Sequence, residues 1–218
     1  MKRLLNAASS RREPRRHPNK HQQRSEATRA KLLQAAQRIF ARDGFEAARI
    51  EDIAAEAGHS RGAFYANFHT KQDLFLALLE QQVKEHSGKL LSALEACETP
   101  EQRLEALREY YAKRIGDRRW VMLTLEFKLF ALRHSRLRPK LVEAHRRIRG
   151  SKNIEAIRSL LPARAQCELE TDGERRAALE GVLNGLVLEQ AYDPKRLSED
   201  QAAAILRRIF DALTEYRD

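Results

Sequence analysis

The 218-residue sequence predicts an all-α fold, with an N-terminal three-helix helix-turn-helix domain followed by a C-terminal helical bundle. Apolar residues recur three and four positions apart through most of the chain, which is the spacing of a buried helix face. No segment alternates apolar and polar residues as a half-buried strand does. The nine glycines and six prolines are scarce, and they act as punctuation between helical segments. In the C-terminal region they predict helix boundaries at Thr99-Pro100, Gly116-Asp117, Leu161-Pro162 and Asp172-Gly173.

The first 23 residues form a basic segment that predicts a disordered arm. Residues 1–24 include eight basic residues and one acidic residue, Glu13, so this segment carries +7 of the formal net charge of +10. Pro14, Pro18 and a scarcity of apolar side chains leave it too little apolar surface to fold. Its role stays open among an arm that follows DNA, a solvated tail that raises only non-specific affinity, and an organelle transit peptide.

Residues 28–42 predict an amphipathic helix. Asp43-Gly44 supplies a stop signal at its end, and the apolar Phe45 follows. We expect this helix to bury the two helices that come next. Its apolar residues, at helical spacing, are Leu32, Leu33, Ala36, Ile39 and Phe40.

Residues 50–68 have the spacing of a helix-turn-helix. Ala54 places a small side chain where two helices cross, and Gly58 supplies the positive φ that ends the first of them. In the DNA-binding form of this motif, the second helix enters the major groove. The inward apolar positions are Ile50, Ile53, Ala57, Phe64 and Phe68, and the outward positions of the second helix are Ser60, Arg61, Gly62, Ala63, Tyr65 and Asn67.

Thr70 predicts the start of a fourth helix. A threonine followed three residues later by an acid, here Asp73, is a variant of the capping box. We therefore expect a helix-turn-helix domain over residues 24–70 and a C-terminal domain over residues 71–218. The apolar positions that follow the cap are Leu74, Phe75, Leu78 and Leu79.

Over about residues 27–75 the sequence resembles the TetR/AcrR family of bacterial transcriptional regulators. The resemblance implies a DNA-binding N-terminal domain, a C-terminal helical domain that binds an apolar or amphipathic small molecule, a homodimer and no cofactor. The matching residues are Gly44-Phe45, Ile50, Asp52-Ile53-Ala54, Ala57-Gly58, residues 60–65, Phe68, and Lys71 with Asp73-Leu74-Phe75.

Two positions depart from the family pattern. Ala48-Arg49 stands where the family usually has Thr or Ser to cap the second helix. Arg49 can contact a phosphate through its charge, but it cannot accept the free N–H groups of a helix end. Asn67 stands where many members have His, and an asparagine can pair with adenine N6 and N7.

The expected DNA contacts divide into residues that read bases and residues that hold phosphates. Arg61 is the first candidate to read guanine O6 and N7, with Asn67 second, while Gly62 and Ala63 let the helix approach the bases. A helix-start role for Lys71 and simple packing for Tyr65 stay open as alternatives. The residues expected to hold phosphates are Arg49, Ser60, Tyr65 and Lys71.

Residues 119–134 are the most apolar stretch of the C-terminal region and predict a helix buried on more than one side. Spacing alone does not separate a cavity lining from a packed core. Glu126 lies within the run, where it would either counter a cationic ligand or face solvent and pair with Lys128 or Arg133. The apolar candidates to line a ligand cavity are Tyr111, Trp120, Leu123, Phe127 and Phe130.

The last two predicted helices, over residues 174–191 and 201–216, carry broad apolar faces. Doubled across a two-fold axis, they would form the four-helix dimer interface that the resemblance implies. The alternative is that both helices close the core of one monomer. The candidate interface residues are Leu179, Val182, Leu183, Leu186, Val187, Leu206, Ile209 and Phe210.

These observations favour a sequence-specific DNA-binding regulator, by family default a repressor released from a palindromic operator by a small apolar or amphipathic ligand. The alternative is a DNA-binding dimer without small-molecule control, which a filled core around Trp120 and Phe127 would favour.

We expect no enzyme, because the sequence has no Gly-rich phosphate loop, GxSxG elbow or HExxH helix. Cys97 and Cys167 lack metal-ligand spacing and no apolar run is long enough to span a membrane, so we expect no metal site and a cytoplasmic location.

Overall fold

The computed structural model describes residues 20–149, 152–161 and 174–215, and within these ranges the regular structure is helical, with no strand. The predicted all-α class is confirmed. A short 3₁₀ turn, Arg114–Gly116, separates the fifth and sixth helices. The helices are α1 (Lys20–Asp43), α2 (Ile50–Glu56), α3 (Arg61–Tyr65), α4 (Lys71–Glu95), α5 (Pro100–Lys113), α6 (Arg118–Arg133), α7 (Arg138–Arg149), α8 (Lys152–Leu160), α9 (Glu174–Tyr192) and α10 (Glu199–Glu215).

The N-terminal helices end where the sequence predicts. Gly44 follows α1 with a φ of +79°, and its N–H donates to the carbonyl of Phe40 at 3.0 Å. Gly58 ends the α2 turn with a φ of +70°, a conformation that costs glycine no steric strain. α1 begins at Lys20, inside the segment predicted to be a disordered arm, and the prediction for residues 1–19 lies outside the described residues.

Capping residues set the start of α4 and α5. The hydroxyl of Thr70 accepts a hydrogen bond from the N–H of Asp73 at 3.1 Å. Thr99 and Gln102 form a complete capping box at the start of α5. Pro100 fits at the first position of this helix because the first helical N–H needs no partner. The predicted helix boundaries at Pro162 and Gly173 lie outside the described residues.

A first core joins the helix-turn-helix to the C-terminal region. It takes buried side chains from α1, α2, α3 and the first half of α4, and it continues into α6 and α7 without a gap. The chain boundary predicted at residue 70 is therefore not a boundary between hydrophobic cores. The buried members of this first core from α4, α6 and α7 are Leu74, Phe75, Leu78, Leu79, Trp120, Leu123, Phe127, Phe130, Ala131 and Leu141.

A second core lies between α5, α8, α9, α10 and the last half of α4. Arg207 of α10 pairs with Glu109 of α5 at 2.6 Å, and Arg108 of α5 pairs with Asp211 of α10 at 2.8 Å, so these two helices are also tied by charge. Within the described ranges, no helix combines the length and the apolarity needed to cross a bilayer.

The second core corrects part of the predicted dimer interface. Five of the predicted residues are at most 3% exposed and pack inside the monomer, because α9 and α10 supply the apolar faces that close this core. These residues are Leu179, Leu183, Val187, Leu206 and Phe210. Val182, Leu186 and Ile209 are half-buried and stay candidates for an interface.

Candidate DNA-binding surface and internal cavity

The short helix α3 is fixed by a cap at its start and an anchor in its middle. Ser60 has extended backbone angles, and its hydroxyl accepts a hydrogen bond from the N–H of Ala63 at 3.2 Å. Phe64 is fully buried in the first core. Arg61 and Gly62 are exposed as a result, at the first turn of the helix, which is the turn that reaches base edges in helix-turn-helix proteins.

Arg61 is held by its neighbours but stays accessible. One Nη lies 2.7 Å from a carboxylate oxygen of Glu51 in α2, and the other donates to the hydroxyl of Tyr65 at 3.3 Å. The Arg61 and Glu51 side chains are 61% and 52% exposed, so this ion pair contributes at most about 1 kcal/mol. A base or phosphate can therefore replace Glu51. Sequence reasoning missed Glu51 as a competitor for Arg61.

Arg49 and Asn67, the two departures from the family pattern, differ in how freely their side chains can contact DNA. Arg49 is the N-cap of α2 and makes no side-chain capping bond, so the loss of a hydroxyl cap is real. The side-chain amide nitrogen of Asn67 donates to the backbone carbonyl of Ala63 at 2.8 Å. The backbone carbonyl of Asn67 accepts a hydrogen bond from the Arg29 guanidinium at 3.3 Å. Asn67 must give up its bond to Ala63 before its amide can pair with a base.

Lys71 bridges the loop that precedes α2. Its ammonium donates to the carbonyls of Glu46 at 2.8 Å and Ala48 at 2.9 Å, and it lies 5.0 Å from the centre of the Phe45 ring. Burial lowers the pKa of Lys71, and the nearby Glu46 offsets part of that effect. The side chain thus has a structural role in holding this loop, and its contact with a phosphate stays a prediction.

A cavity of about 120 Å³ lies where α4 to α9 meet. Two of the predicted ligand-lining residues, Tyr111 and Trp120, are in its wall, together with Thr124 and Lys128 of α6. Sequence reasoning missed His86 of α4 and Arg114 of the 3₁₀ turn, which also line it. Arg114 falls one helical turn after Tyr110 and Tyr111, and that spacing was the available signal.

The other predicted lining residues lie on an adjacent face of α6 rather than in this wall, which corrects the prediction for them. Leu123, Phe127 and Phe130 belong to the first core and are outside the cavity wall. The Phe127 ring stacks on Phe75 with a centroid distance of 4.2 Å. Their side of α6 faces α1 and α4, because large rings are needed there to fill the space beside Phe45.

Glu126 also lies outside the cavity wall, and it connects α6 to the DNA-binding domain. Its Oε2 accepts a hydrogen bond from the N–H of Phe45 at 2.6 Å, so it neither counters a ligand nor pairs with Lys128 or Arg133. A Cβ added to Gly44 would lie 2.9 Å from the same oxygen, so a side chain at that turn would displace the Glu126 carboxylate.

A second polar contact lies beside the Glu126 bond. Arg133, near the end of α6, pairs with Glu46 at 3.0 Å. The turn that follows α1 is therefore held by two side chains of α6, one half-buried and one exposed. In the described part of the chain, no group of three or more His, Cys, Asp or Glu side chains has the arrangement of a metal site.

Comparison with known proteins identifies the helix-turn-helix region. Residues 32–78 match the family model for bacterial regulatory proteins of the tetR family. The chain is 43% identical over 58 residues to the HTH-type transcriptional repressor SCO4008 of Streptomyces coelicolor, covering 27% of this chain and 30% of that protein. It is 35% identical over 83 residues to the HTH-type transcriptional activator FasR of Mycolicibacterium smegmatis, covering 38% of each. The chain thus spans less than two fifths of the length of either relative, and both relatives are transcriptional regulators rather than enzymes.

The similarity of fold extends over the rest of the chain. The structure of the transcriptional regulator FadR from Bacillus subtilis in complex with stearoyl-CoA aligns with a TM-score of 0.60, covering 87% of this chain and 99% of that one at 16% sequence identity. At this identity the alignment shows a shared fold alone. Residues 32–78 thus belong to the tetR family of bacterial regulatory proteins, and the chain as a whole shares the two-part helical fold of FadR.

Proposed function

We propose that this chain is a dimeric, sequence-specific DNA-binding regulator, a repressor that leaves a palindromic operator when a small molecule enters the cavity. The observation that carries the proposal is the position of α6. Thr124 and Lys128 on one side of this helix line the cavity, while Glu126 on the other side bonds the turn before the helix-turn-helix. A regulator of this kind acts where the DNA is, so the proposal includes a cytoplasmic location.

The ligand acts through a difference in affinity. A molecule in the cavity shifts DNA binding only if it binds one arrangement of α6 and α4 more tightly than another. Because the stacked rings of Phe75 and Phe127 join α4 to α6, movement of either helix displaces the other. The Glu126 bond to Phe45 then carries the displacement to α1 and to the helix-turn-helix.

The dimer interface that we propose is the exposed stripe of α9. Ala178, Gly181, Gly185, Leu188 and Tyr192 recur three and four residues apart on one face. Leu188 is 45% and Tyr192 is 87% exposed, and nothing lies within 4 Å of a Cβ added at either glycine. A second copy of α9 can therefore approach closely, and two recognition helices at a fixed separation give operator specificity.

A dimer without small-molecule control is the second candidate, and one observation favours it. The core around Phe127 is filled, as this alternative requires, and the cavity measures only about 120 Å³. Pockets for drug-sized ligands measure about 300–1,000 Å³. Occupancy of the cavity beside Trp120 distinguishes the two candidates. The first candidate requires a ligand in this cavity, and the second requires none.

The experiment that tests the proposal is selection of bound sequences from a random DNA pool, at a salt concentration high enough to suppress non-specific binding by the basic N-terminal segment. We expect an enriched palindrome. Arg61→Ala should lower discrimination at one base-pair position by about 1–3 kcal/mol, while Arg49→Ala should weaken binding to all sequences alike. No enriched motif, with binding that fades as salt rises, would contradict the proposal.

The dimer is tested separately with Gly185→Glu. Because a side chain at this position meets nothing in the monomer, and because glutamate has the higher helix propensity, the substitution should not destabilise the monomer. We expect sedimentation to show monomers and operator affinity to fall. Leu188→Ala should weaken the dimer more mildly, and a Gly185→Glu variant that stays dimeric would place the interface elsewhere.

A further inference from the structure

The cavity wall includes polar side chains and an unsatisfied donor. His86 and Ser87 of α4 and Arg114 of the 3₁₀ turn line it. The Nε atom of Arg114 is buried and has no hydrogen-bond partner among the described residues. A buried donor without a partner destabilises the folded state, and a charged donor does so more strongly than a neutral one. A ligand oxygen that accepts from Arg114 would remove this destabilisation.

The charges of the lining residues favour an anion. Arg114 and Lys128 are cationic, and two histidines, His86 and His145, stand with them in the wall. Among the described lining residues, Glu180 is the one carboxylate. Guanidinium groups bind carboxylates through two parallel hydrogen bonds, which adds geometric selection to the attraction between charges.

His86 adds a polar contact without cancelling the charge of Arg114. Its Nε2 lies 3.5 Å from a carboxylate oxygen of Asp117, which is behind the wall rather than in it. Burial lowers the pKa of His86, and Arg114 lowers it further although Asp117 opposes both effects. Burial raises the pKa of Asp117, and the nearby charges of His86 and Arg114 oppose this rise. Asp117 therefore offsets part of the charge of Arg114, but it makes no hydrogen bond with the buried Nε of Arg114, which is left for a ligand.

The remainder of the wall is apolar and small. Leu90, Leu107, Val121, Ile157 and Leu183 of the second core line it. A dry apolar cavity of about 150 Å³ binds benzene, so a volume of about 120 Å³ limits the ligand to the size of about one ring or a short chain. A ligand that matches both the polar and the apolar parts of the wall has a compact apolar body and one acidic group.

We propose that the cavity binds a small amphipathic anion, a monocarboxylate with a single ring or short chain, whose acidic group is held by Arg114. Any effect of this anion on DNA binding rests on the proposed function, but binding of the anion to the protein does not require DNA. It deepens the proposal by assigning a chemical class to the ligand and by naming Arg114 as the residue that selects it.

The test compares three probes of matched size on the full chain: benzoate, benzyl alcohol and benzylamine. Calorimetric titration of the free protein should show benzoate binding roughly tenfold or more tightly than benzyl alcohol, the factor expected for one charged hydrogen bond. Benzylamine should bind more weakly than either. Arg114→Gln should remove the preference for benzoate, and Arg114→Lys should keep part of it.

Arg118→Gln is the matched control. Arg118 is exposed at the start of α6, four residues from Arg114 and outside the cavity wall, so its loss removes the same charge without touching the site. Equal or tighter binding of benzyl alcohol or benzylamine, no binding of any probe, or an unchanged preference in Arg114→Gln would overturn the assignment. Benzoate that binds through Arg114 but leaves operator affinity unchanged would uphold the ligand class and contradict the proposed release from DNA.

Discussion

The two sides of α6 differ in what they contact. One side presents Phe127 and Phe130 to the rings of Phe75 in α4 and Phe45 in the turn after α1, with stacked and edge-to-face contacts. The other side presents Thr124 and Lys128 to a cavity with polar and apolar walls. A single helix of 16 residues is therefore both a packed partner of the DNA-binding domain and a wall of an internal space.

This difference shows how a change in the cavity can reach the DNA-binding surface over a short path. Thr124 and Glu126 are two residues apart and lie on different sides of the helix. A rigid helix transmits a displacement from one side to the other without any intervening chain of contacts. Interfaces packed as densely as the first core tend to shift as units rather than deform.

The largest effect should come from the packed side. Phe127→Ala removes a ring that is 2% exposed and stacks on Phe75, and we expect it to lower the free energy of unfolding by about 3–5 kcal/mol. Because the first core includes the helix-turn-helix, operator binding should fall as well. Denaturant titration followed by circular dichroism measures the first effect.

Leu129→Ala is the control for this prediction. Leu129 is 49% exposed, so truncating it should change the free energy of unfolding by no more than about 0.5 kcal/mol. If Phe127→Ala cost as little as Leu129→Ala, the Phe127 side of α6 would not be a packed core, and the comparison would fail.

Gly44→Ala should produce the next largest loss in the free energy of unfolding, and Gly58→Ala is its matched control. Both glycines have positive φ, so alanine costs about 1–2 kcal/mol of backbone strain at either position. At Gly44 the new methyl group also meets the Glu126 carboxylate at 2.9 Å, whereas at Gly58 nothing lies within 4 Å. We expect Gly44→Ala to destabilise the protein by about 1–2 kcal/mol more than Gly58→Ala, because Glu126 must give up its bond to Phe45.

A double-mutant cycle isolates the cause. In a Glu126→Ala background the collision and the hydrogen bond are both absent, so Gly44→Ala should cost only the backbone strain seen at Gly58. Equal costs of Gly44→Ala in both backgrounds would show that Glu126 does not constrain this turn.

The N-terminal half of the fold was predictable in detail because its signals are local. Gly58, the Ser60 cap and the Thr70 cap each act within four residues of the chain. The same holds for the helix boundaries at Thr99 and Gly116. Such signals depend on φ angles and on N–H groups at helix ends, and neither needs knowledge of the tertiary packing.

The roles of the α6 residues were not predictable in the same way. Helical spacing shows that Trp120, Leu123 and Phe127 are buried, but it does not show which neighbour buries them. The bond between Glu126 and Phe45 joins residues 81 positions apart, so only the folded chain reveals it. The buried residues of α9 pose the same problem, since an apolar face serves a monomer core or a dimer equally well until the other helices are placed.

A smaller effect on stability, but a specific effect on regulation, should follow from Glu126→Gln. The amide keeps an oxygen that accepts from Phe45 and loses only the charge, so we expect a cost of about 1 kcal/mol. The change in operator affinity that benzoate causes should shrink, while benzoate binding to the free protein should not change. Fluorescence anisotropy with a selected operator, with and without benzoate, measures the first quantity, and calorimetric titration of the free protein with benzoate measures the second.

Arg133→Gln is the matched control for Glu126→Gln. It breaks the neighbouring pair with Glu46, whose side chains are 63% and 59% exposed, and exposed pairs contribute at most about 1 kcal/mol. We expect this variant to keep the response to benzoate. A normal response in Glu126→Gln together with a lost response in Arg133→Gln would transfer the coupling role to the exposed pair.

The smallest effect on stability should come from the cavity side, through Thr124→Val. The Thr124 hydroxyl donates to the carbonyl of Trp120 at 2.9 Å, one turn back in α6, and bonds of this kind add little to helix stability. We expect the free energy of unfolding to change by less than about 0.5 kcal/mol and operator affinity without ligand to stay the same. The added methyl group makes the wall less polar, so benzyl alcohol should gain affinity relative to benzoate. A stability loss as large as that of Phe127→Ala would mean that this side of α6 is packed as tightly as the other, which leaves no space for a ligand to act.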